Sequence, residues 1–251
     1  MQYALVNDMK VIAEPDERGI CPLCEEIVIA RCGEVNVWHW AHKAASDCDS
    51  FSEGETPWHL AWKDAVSPEC CEVIIEREGK KHRADILTKE GAVLEIQHSS
   101  ISSKNINLRE DFYGNMMWLL DYTWNWPNFE FYDIEGRKAR FRWIRPRRSF
   151  YVAQAPLYIH LGENLNLLGY REELSWKEYH DLETGQRRLT TTGRKLINSP
   201  LPEHDWIFRI ILLEEGSGIG VFLTTEQFKE MFLVLKEKEK DADDIIQTRL
   251  G

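Results

Sequence analysis

One stretch constrains the fold more than any other: His82-Arg-Ala-Asp-Ile-Leu-Thr88, then Lys89-Glu-Gly91, then Ala92-Val-Leu-Glu-Ile-Gln97. Two strand-like runs flank three residues ending in glycine, a common hairpin connection in which the glycine adopts the left-handed conformation. A loop of that length pairs 88 with 92, 86 with 94 and 85 with 95. Side chains alternate between the two faces of a strand, so a loop one residue shorter would send Asp85 and Glu95 to opposite sides. With three residues they share a face, Gln97 lies opposite Arg83, and Ala84, Ile86, Leu94 and Ile96 make an apolar face suited to a core. Carboxylates facing each other at ~5 Å repel unless positive charge lies between them. A divalent metal is one answer, and Mg2+ is commonly held by one or two carboxylates. Neutralisation by Arg83 on a solvated strand pair is the other.

The flanking segments place this hairpin in an α/β context. Thr56 suits an N-cap and Pro57 a first helical position, which predicts a helix from Pro57 to about Val66. On it His59 and Lys63 share a face, with Glu55 at the N-terminal edge. This trio converges on a metal from a second side or simply forms a surface face of i,i+4 pairs. Strands are predicted over 72–77, 81–88 and 92–98, with a turn at Gly79. A second helix is predicted over 107–121, where Phe112, Met116, Leu119 and Leu120 fall at helical spacing. Strands at 128–133 and 138–144 complete an α-β-β-β-α-β order, which implies a mixed sheet with helices. Further on, 150–159 and 206–213 read as buried strands, 216–220 as a loop and 219–223 as a strand. Thr224 or Thr225 caps a last helix reaching about Lys240.

The N-terminal segment carries Cys21, Cys24, Cys32, Cys48, His39 and His42, with strand-like runs at 27–31 and 35–40 around Gly33. A piece of ~50 residues buries little apolar surface alone, so a metal staple is useful there. Cys21-x-x-Cys24 has zinc-knuckle spacing, and its partners come from His39, His42 and Cys48. His39 with His42 is one pairing, and Cys48 is a substitute for either histidine. Four N/S ligands would make a closed, structural Zn2+ site; reduced buried cysteines, with His39 and His42 flanking a buried Trp40, are the alternative. Cys32, Cys70 and Cys71 read as packing residues. The compartment supports metal over disulfide: no apolar run approaches the ~18 residues of a spanning helix, and the first residues lack a signal-peptide layout. A soluble, cytoplasmic chain with reduced thiols is therefore expected. The formal charge of −11 argues against a simple nucleic-acid coat protein but not against a local basic site.

Such a site is offered by residues 137–148, with seven basic residues and no acid, interleaved with Phe141 and Trp143. Arg140, Arg142, Arg145 and Arg147 are the candidate phosphate contacts. On a strand, Arg140 and Arg142 take one face and the aromatics the other, so the aromatics are core. The arginines then bind nucleic acid or pair with acidic groups elsewhere on the surface.

Taken in order, Glu55-Thr-Pro-Trp-His59-Leu-Ala-Trp-Lys63, Arg83-Ala-Asp85-Ile, Glu95-Ile-Gln97-His-Ser99-Ser-Ile-Ser, Arg109 through Tyr113 and Trp118-Leu-Leu-Asp121 resemble the competence protein CoiA-like family. That family is a branch of the PD-(D/E)XK nuclease superfamily, and Cys-Pro-Leu-Cys with His-Trp-Ala-His resembles its zinc-binding module. The resemblance spans roughly residues 18 to 125. It implies a restriction-endonuclease-like core at 53–135, a zinc module at 1–52 and an α+β extension of unknown role at 136–251. It also implies Mg2+- or Mn2+-dependent cleavage of DNA to a 5′-phosphate and a 3′-hydroxyl, in DNA processing linked to competence, recombination or defence. By the same resemblance Asp85, Glu95 and the Ile96 carbonyl hold the catalytic metal, and Glu55 is the helix-borne acid. Gln97 stands where the wider superfamily has lysine, as is usual in this branch, so Lys63 or His59 would supply the charge. A catalytically silent module binding DNA, or a protein partner through the C-terminal region, is the alternative.

Overall fold

A computed structural model describes all residues except 35–36, 44–47, 50, 52–53, 125–127, 164–168, 181–186, 198–203 and 237–251; for 169–180 and 187–197 the backbone alone is described. The chain divides into two compact units, Met1–Glu95 with Lys229–Gly251, and Ile96–Phe228. Helices and a mixed sheet give an α/β architecture. Among the described residues no helix is long and apolar enough to cross a membrane.

The first unit opens with five strands, β1 (Tyr3–Val6), β2 (Met9–Ile12), β3 (Arg18–Ile20), β4 (Ile27–Arg31) and β5 (His39–His42). They form an antiparallel sheet in the order β2-β1-β3-β4-β5. Its small core is Ala4, Ala13, Cys21, Leu23, Val28 and Trp40. Gly19 is required by close approach, because a Cβ there would lie 2.9 Å from the Ala4 side chain. The strand expected at 35–40 begins only at His39, and residues 35–36 lie outside those described. Sequence reading passed over β1, β2 and β3, which are only three or four residues long.

Helix α1 (Pro57–Asp64) follows, capped as predicted: the Thr56 hydroxyl accepts from the His59 N–H at 3.3 Å. Next come β6 (Cys71–Arg77), β7 (Lys80–Leu87) and β8 (Val93–Gln97), joined as antiparallel neighbours in the order β6-β7-β8. Glu78 and Gly79, both at positive φ, make the first turn. The second turn is the three-residue loop, with Gly91 at φ +74 and Thr88 N–H donating to the Ala92 carbonyl at 2.8 Å. The register is Ile86 opposite Leu94 and Leu87 opposite Val93, the one the loop predicts. Residues 229–236 return to this unit, where Ser67 N–H donates to the Val234 carbonyl and Val66 bridges Leu235.

The second unit corrects the helix expected at 107–121. Helix α2 covers Ser103–Tyr113 and ends at Gly114, whose φ is +68. Met116–Asp121 is instead strand β9, with all six residues buried. A run covered on both faces carries no period, so its apolar residues match helical spacing by coincidence. The remaining strands are β10 (Phe129–Glu135), β11 (Lys138–Trp143), β12 (Leu157–Gly162), β13 (Gly169–His180), β14 (Arg187–Ile197), β15 (Trp206–Glu214) and β16 (Ser217–Thr224). Their order is β9-β12-β15-β16-β11-β10-β13-β14, parallel at β9/β12 and β10/β13 and antiparallel elsewhere. The strand expected at 150–159 starts late: Arg148–Val152 is a 3-10 turn, and β12 begins after Pro156. The loop expected at 216–220 is mostly β16, because a tight turn at Glu215 and Gly216 already reverses the chain. Helix α3 (Thr225–Phe232) is shorter than expected, and the predicted end near Lys240 lies outside the described residues. Phe131, Phe141, Phe208 and Phe222 pack with centroids 4.8–5.3 Å apart as the aromatic core of the strands.

Candidate functional site

Two polar clusters stand out in the first unit. In the first, one ligand atom each from Cys21, Cys24, His42 and Cys48 lies within 4.8 Å of all the others. The knuckle is folded by its backbone: Glu25, at φ +62, donates its N–H to the Cys21 carbonyl at 2.9 Å. The imidazole enters from β5, with Nε2 at 3.2 Å from the Cys24 sulfur. Burial pushes the Cys48 thiol up to about 12 and raises that of Cys24. Buried thiols with no nearby cation are neutral; a soft divalent ion reverses that preference by binding the thiolates. Three sulfurs and one imidazole nitrogen fit tetrahedral Zn2+ with no open position, which is a structural site.

The sequence offered His39 and His42, with Cys48 as a substitute. The structure brings Cys48 into the cluster and leaves His39 out. Residues 39 and 42 are an odd number apart on one strand, so their side chains leave opposite faces. The Nδ1 of His39 bonds the Val37 carbonyl at 2.8 Å instead. Beyond Cys48, Asp49 ties the module to β7. Its carboxylate accepts from the Arg83 N–H at 3.0 Å and bonds His82 Nδ1 at 2.9 Å, while Phe51 stacks on the His82 ring.

The second cluster surrounds Lys63. Its ammonium lies 2.8 Å from Glu55, 3.0 Å from Glu72 and 3.3 Å from Asp85. Burial alone would lower the Lys63 pKa, but Glu72, Asp85 and Glu55 outweigh it and hold the value well above the ordinary 10.5. Glu95 is buried on β8, and its Oε1 accepts from the Asp85 N–H at 3.4 Å. Lysine, and not only a metal or Arg83, therefore answers the repulsion between the acids. Glu55, with a side chain 6% exposed, uses Oε1 for Lys63; its buried Oε2 has no hydrogen-bond partner among the described residues. His59 is buried at the helix start, with Nδ1 2.7 Å from the Thr56 hydroxyl.

Glu72 is the residue that sequence reading missed. It is an acid near the start of a strand whose middle, Val73–Ile75, is apolar, a weak signal read as part of a strand and nothing more. Its carboxylate accepts from Gln2 N–H at 2.9 Å and Tyr3 N–H at 3.0 Å, and Arg83 Nε lies 3.9 Å away. Burial would raise its pKa, but Lys63 and Arg83 pull it well below the usual carboxylate range. Its φ of +48 is strained for a side chain of this size, at a cost of about 1–3 kcal/mol. Among the described residues, Glu55, Asp85 and Glu95 do not draw their oxygens into a close group like that of the cysteines.

Gln97 lies at the end of β8 in the second unit, fully buried, and its amide donates to the Ser99 carbonyl at 3.1 Å. On β11 the side chains alternate as expected, with Ala139, Phe141 and Trp143 buried and Arg140 and Arg142 exposed. The arginines meet acids across the ladder: Arg140 lies 3.8 Å from Asp133 and Arg142 3.7 Å from Glu130. Pairs this loose and exposed are worth little and are screened by salt. Arg147 is committed to the backbone, donating to the carbonyls of His98 at 2.8 Å and Ser99 at 3.2 Å, with its guanidinium 4.8 Å from the Tyr122 ring centroid. Arg145 is exposed and pairs with no described residue.

No curated protein and no solved structure matches the chain. Residues 9–51 match the family model described as competence protein CoiA, N-terminal domain. That span holds β2 to β5 and all four residues of the Cys/His cluster. The N-terminal part of the chain is therefore CoiA-like and carries a Cys3His metal-binding cluster.

Proposed function

We propose that the chain is a Mg2+- or Mn2+-dependent deoxyribonuclease of the PD-(D/E)XK type, acting in DNA processing linked to competence, recombination or defence. The observation that carries this reading is the set of three acids around one hairpin and one helix start. Asp85 and Glu95 come from neighbouring strands in the same-face register, and Glu55 brings a buried oxygen with no partner among the described residues. An all-oxygen donor set suits a hard divalent cation. Asp85, Glu95, the Ile96 carbonyl and Glu55 would hold it, and the chemistry supplied there would be acidification of a water and polarisation of the scissile phosphate. The chain's own residues do the rest. Lys63 keeps a positive charge 3.3 Å from Asp85 and stands in for the cation that Gln97 lacks. Glu72, with Arg83 on its other side, keeps that ammonium in place. The His59 imidazole is oriented by Thr56, and Gln97 contributes an amide dipole and no charge.

The second reading, a silent module that binds DNA, is favoured by the same lysine. An ammonium shared by three carboxylates, with Arg83 beside Glu72, offsets much of their charge without a metal. Both readings permit DNA binding, so hydrolysis separates them. Purified protein is incubated with linear, circular and single-stranded DNA under Mg2+, Mn2+ or neither. Cleavage that needs the added cation and disappears in Asp85→Ala and Glu95→Ala supports the nuclease. Undiminished Mg2+-dependent cleavage in either variant, or no cleavage by the wild-type chain, rules it out.

A further inference from the structure

Arg148 was not among the arginines that the sequence singled out, yet it lines a cavity with the chemistry to take a nucleotide. That cavity, of 460 Å³, is bounded by Arg142, Ile144, Arg148, Tyr151, Glu215 and Ser217, with Gly216 at its base. The volume lies in the ~300–1,000 Å³ range of small-ligand clefts. Its chemistry is divided. Arg148 is exposed, and no described residue pairs with its guanidinium. Among the described residues Arg142 has a single ion pair, the 3.7 Å contact with Glu130. Tyr151 and Ile144 present apolar surface, 40% and 43% exposed, unlike the aromatics buried on the other face of β11. Glu215 and Ser217 supply an acceptor and a hydroxyl. The wall is held in place by Arg147, anchored to three backbone carbonyls, and by Trp143 N–H donating to the Gly216 carbonyl at 2.6 Å. Gly216, at φ +83, admits the close approach of the tyrosine, since a Cβ there would lie 3.0 Å from its hydroxyl oxygen.

We propose that this cavity binds single-stranded DNA, with a base stacked on Tyr151 and its flanking phosphates on Arg142 and Arg148. A simple anion would not use the tyrosine or tolerate Glu215, whereas an unpaired base offers that carboxylate an N–H donor, the N3 imide in thymine or an amine in the other bases. A paired base in a duplex cannot lie flat on the tyrosine, so the site selects unpaired strands. The inference rests on nucleic acid being what the chain acts on, but not on cleavage. It is tested by binding with no Mg2+ or Mn2+ added, so the nuclease reading can fail while this one stands, and the reverse.

The measurement is fluorescence anisotropy of a labelled oligothymidylate and of a duplex of equal length, on the full chain, across a salt series. Tyr151→Ala should weaken single-strand binding on the order of tenfold while Tyr151→Phe keeps it. Arg148→Ala should lower the slope of log K against log salt by about 0.7, the value for one phosphate contact on a single strand. Lys80→Ala, at an exposed lysine of β7 outside the cavity, should change neither. Arg148 is on the surface, so its variant folds whatever happens to the tyrosine variant. The proposal is overturned by any of three results: an unchanged slope in Arg148→Ala, duplex binding as tight as single-strand binding, or inorganic phosphate competing as well as thymidine monophosphate.

Discussion

The Cys/His cluster and the Lys63 cluster occupy one compact unit and solve opposite problems. The first gathers four ligand atoms within 4.8 Å and contains no cation of its own. The second gathers Glu55, Glu72 and Asp85, and the chain supplies the ammonium at their centre. A cluster that lacks internal charge compensation depends on an external ion to be ordered. One that carries its own counter-ion is ordered without one, and its acids are available for other work only through the oxygens the lysine leaves over. The distinction marks the first as a cluster suited to a structural metal and the second as an ion-pair network.

The largest effect should come from removing the ion the first cluster needs. Cys21→Ser or Cys48→Ser should abolish the zinc of the purified protein, expected at about one per chain. The module should lose binding free energy on the order of 10 kcal/mol, as for small zinc domains. Metal analysis with thermal unfolding reads both. Stoichiometric zinc in Cys48→Ser would dissolve the contrast, since the cluster would then not be what holds the ion.

Lys63→Met attacks the second cluster from within. It leaves Glu72 and Glu55 buried without their main counter-charge, a change that costs about 3–5 kcal/mol at neutral pH. The pH dependence follows from the shifts. Glu72 has a depressed folded pKa, so the stability it contributes is present in full above its ordinary value of 4.5 and is lost as pH falls below it. Lys63 has a raised one, so its contribution is present below 10.5 and is lost as pH rises through the higher folded value. Denaturant melts should therefore show wild type and variant farthest apart near neutrality. The gap should close below pH 4.5 as the acids protonate. A constant gap across that range would mean that the lysine acts by packing alone.

What the sequence discloses of these sites follows the range of the interactions. The hairpin register was legible because loop length and strict alternation fix it within sixteen residues. The Thr56 cap was legible for the same reason. Glu72 was not, since its partners Gln2, Tyr3 and Lys63 are brought to it by tertiary packing and its own strand looks ordinary. The run Met116–Asp121 was misread because a strand buried on both faces carries no period. The arginines of 137–148 looked alike in sequence and differ in fold: Arg147 is spent on backbone carbonyls, while Arg148 faces a cavity.

The smallest effect sharpens the boundary of the first cluster. His39 and His42 are chemically equal, yet strand alternation sends only one toward the cysteines. His39→Ala removes a hydrogen bond to the Val37 carbonyl at a half-buried position, a cost of about 0.5–1.5 kcal/mol. Zinc content should stay at the wild-type level, whereas His42→Ala should lower it. The pair shares strand β5, so general damage to the strand would lower zinc in both variants. A loss confined to His39→Ala would place the imidazole ligand on the other face and overturn the cluster as described.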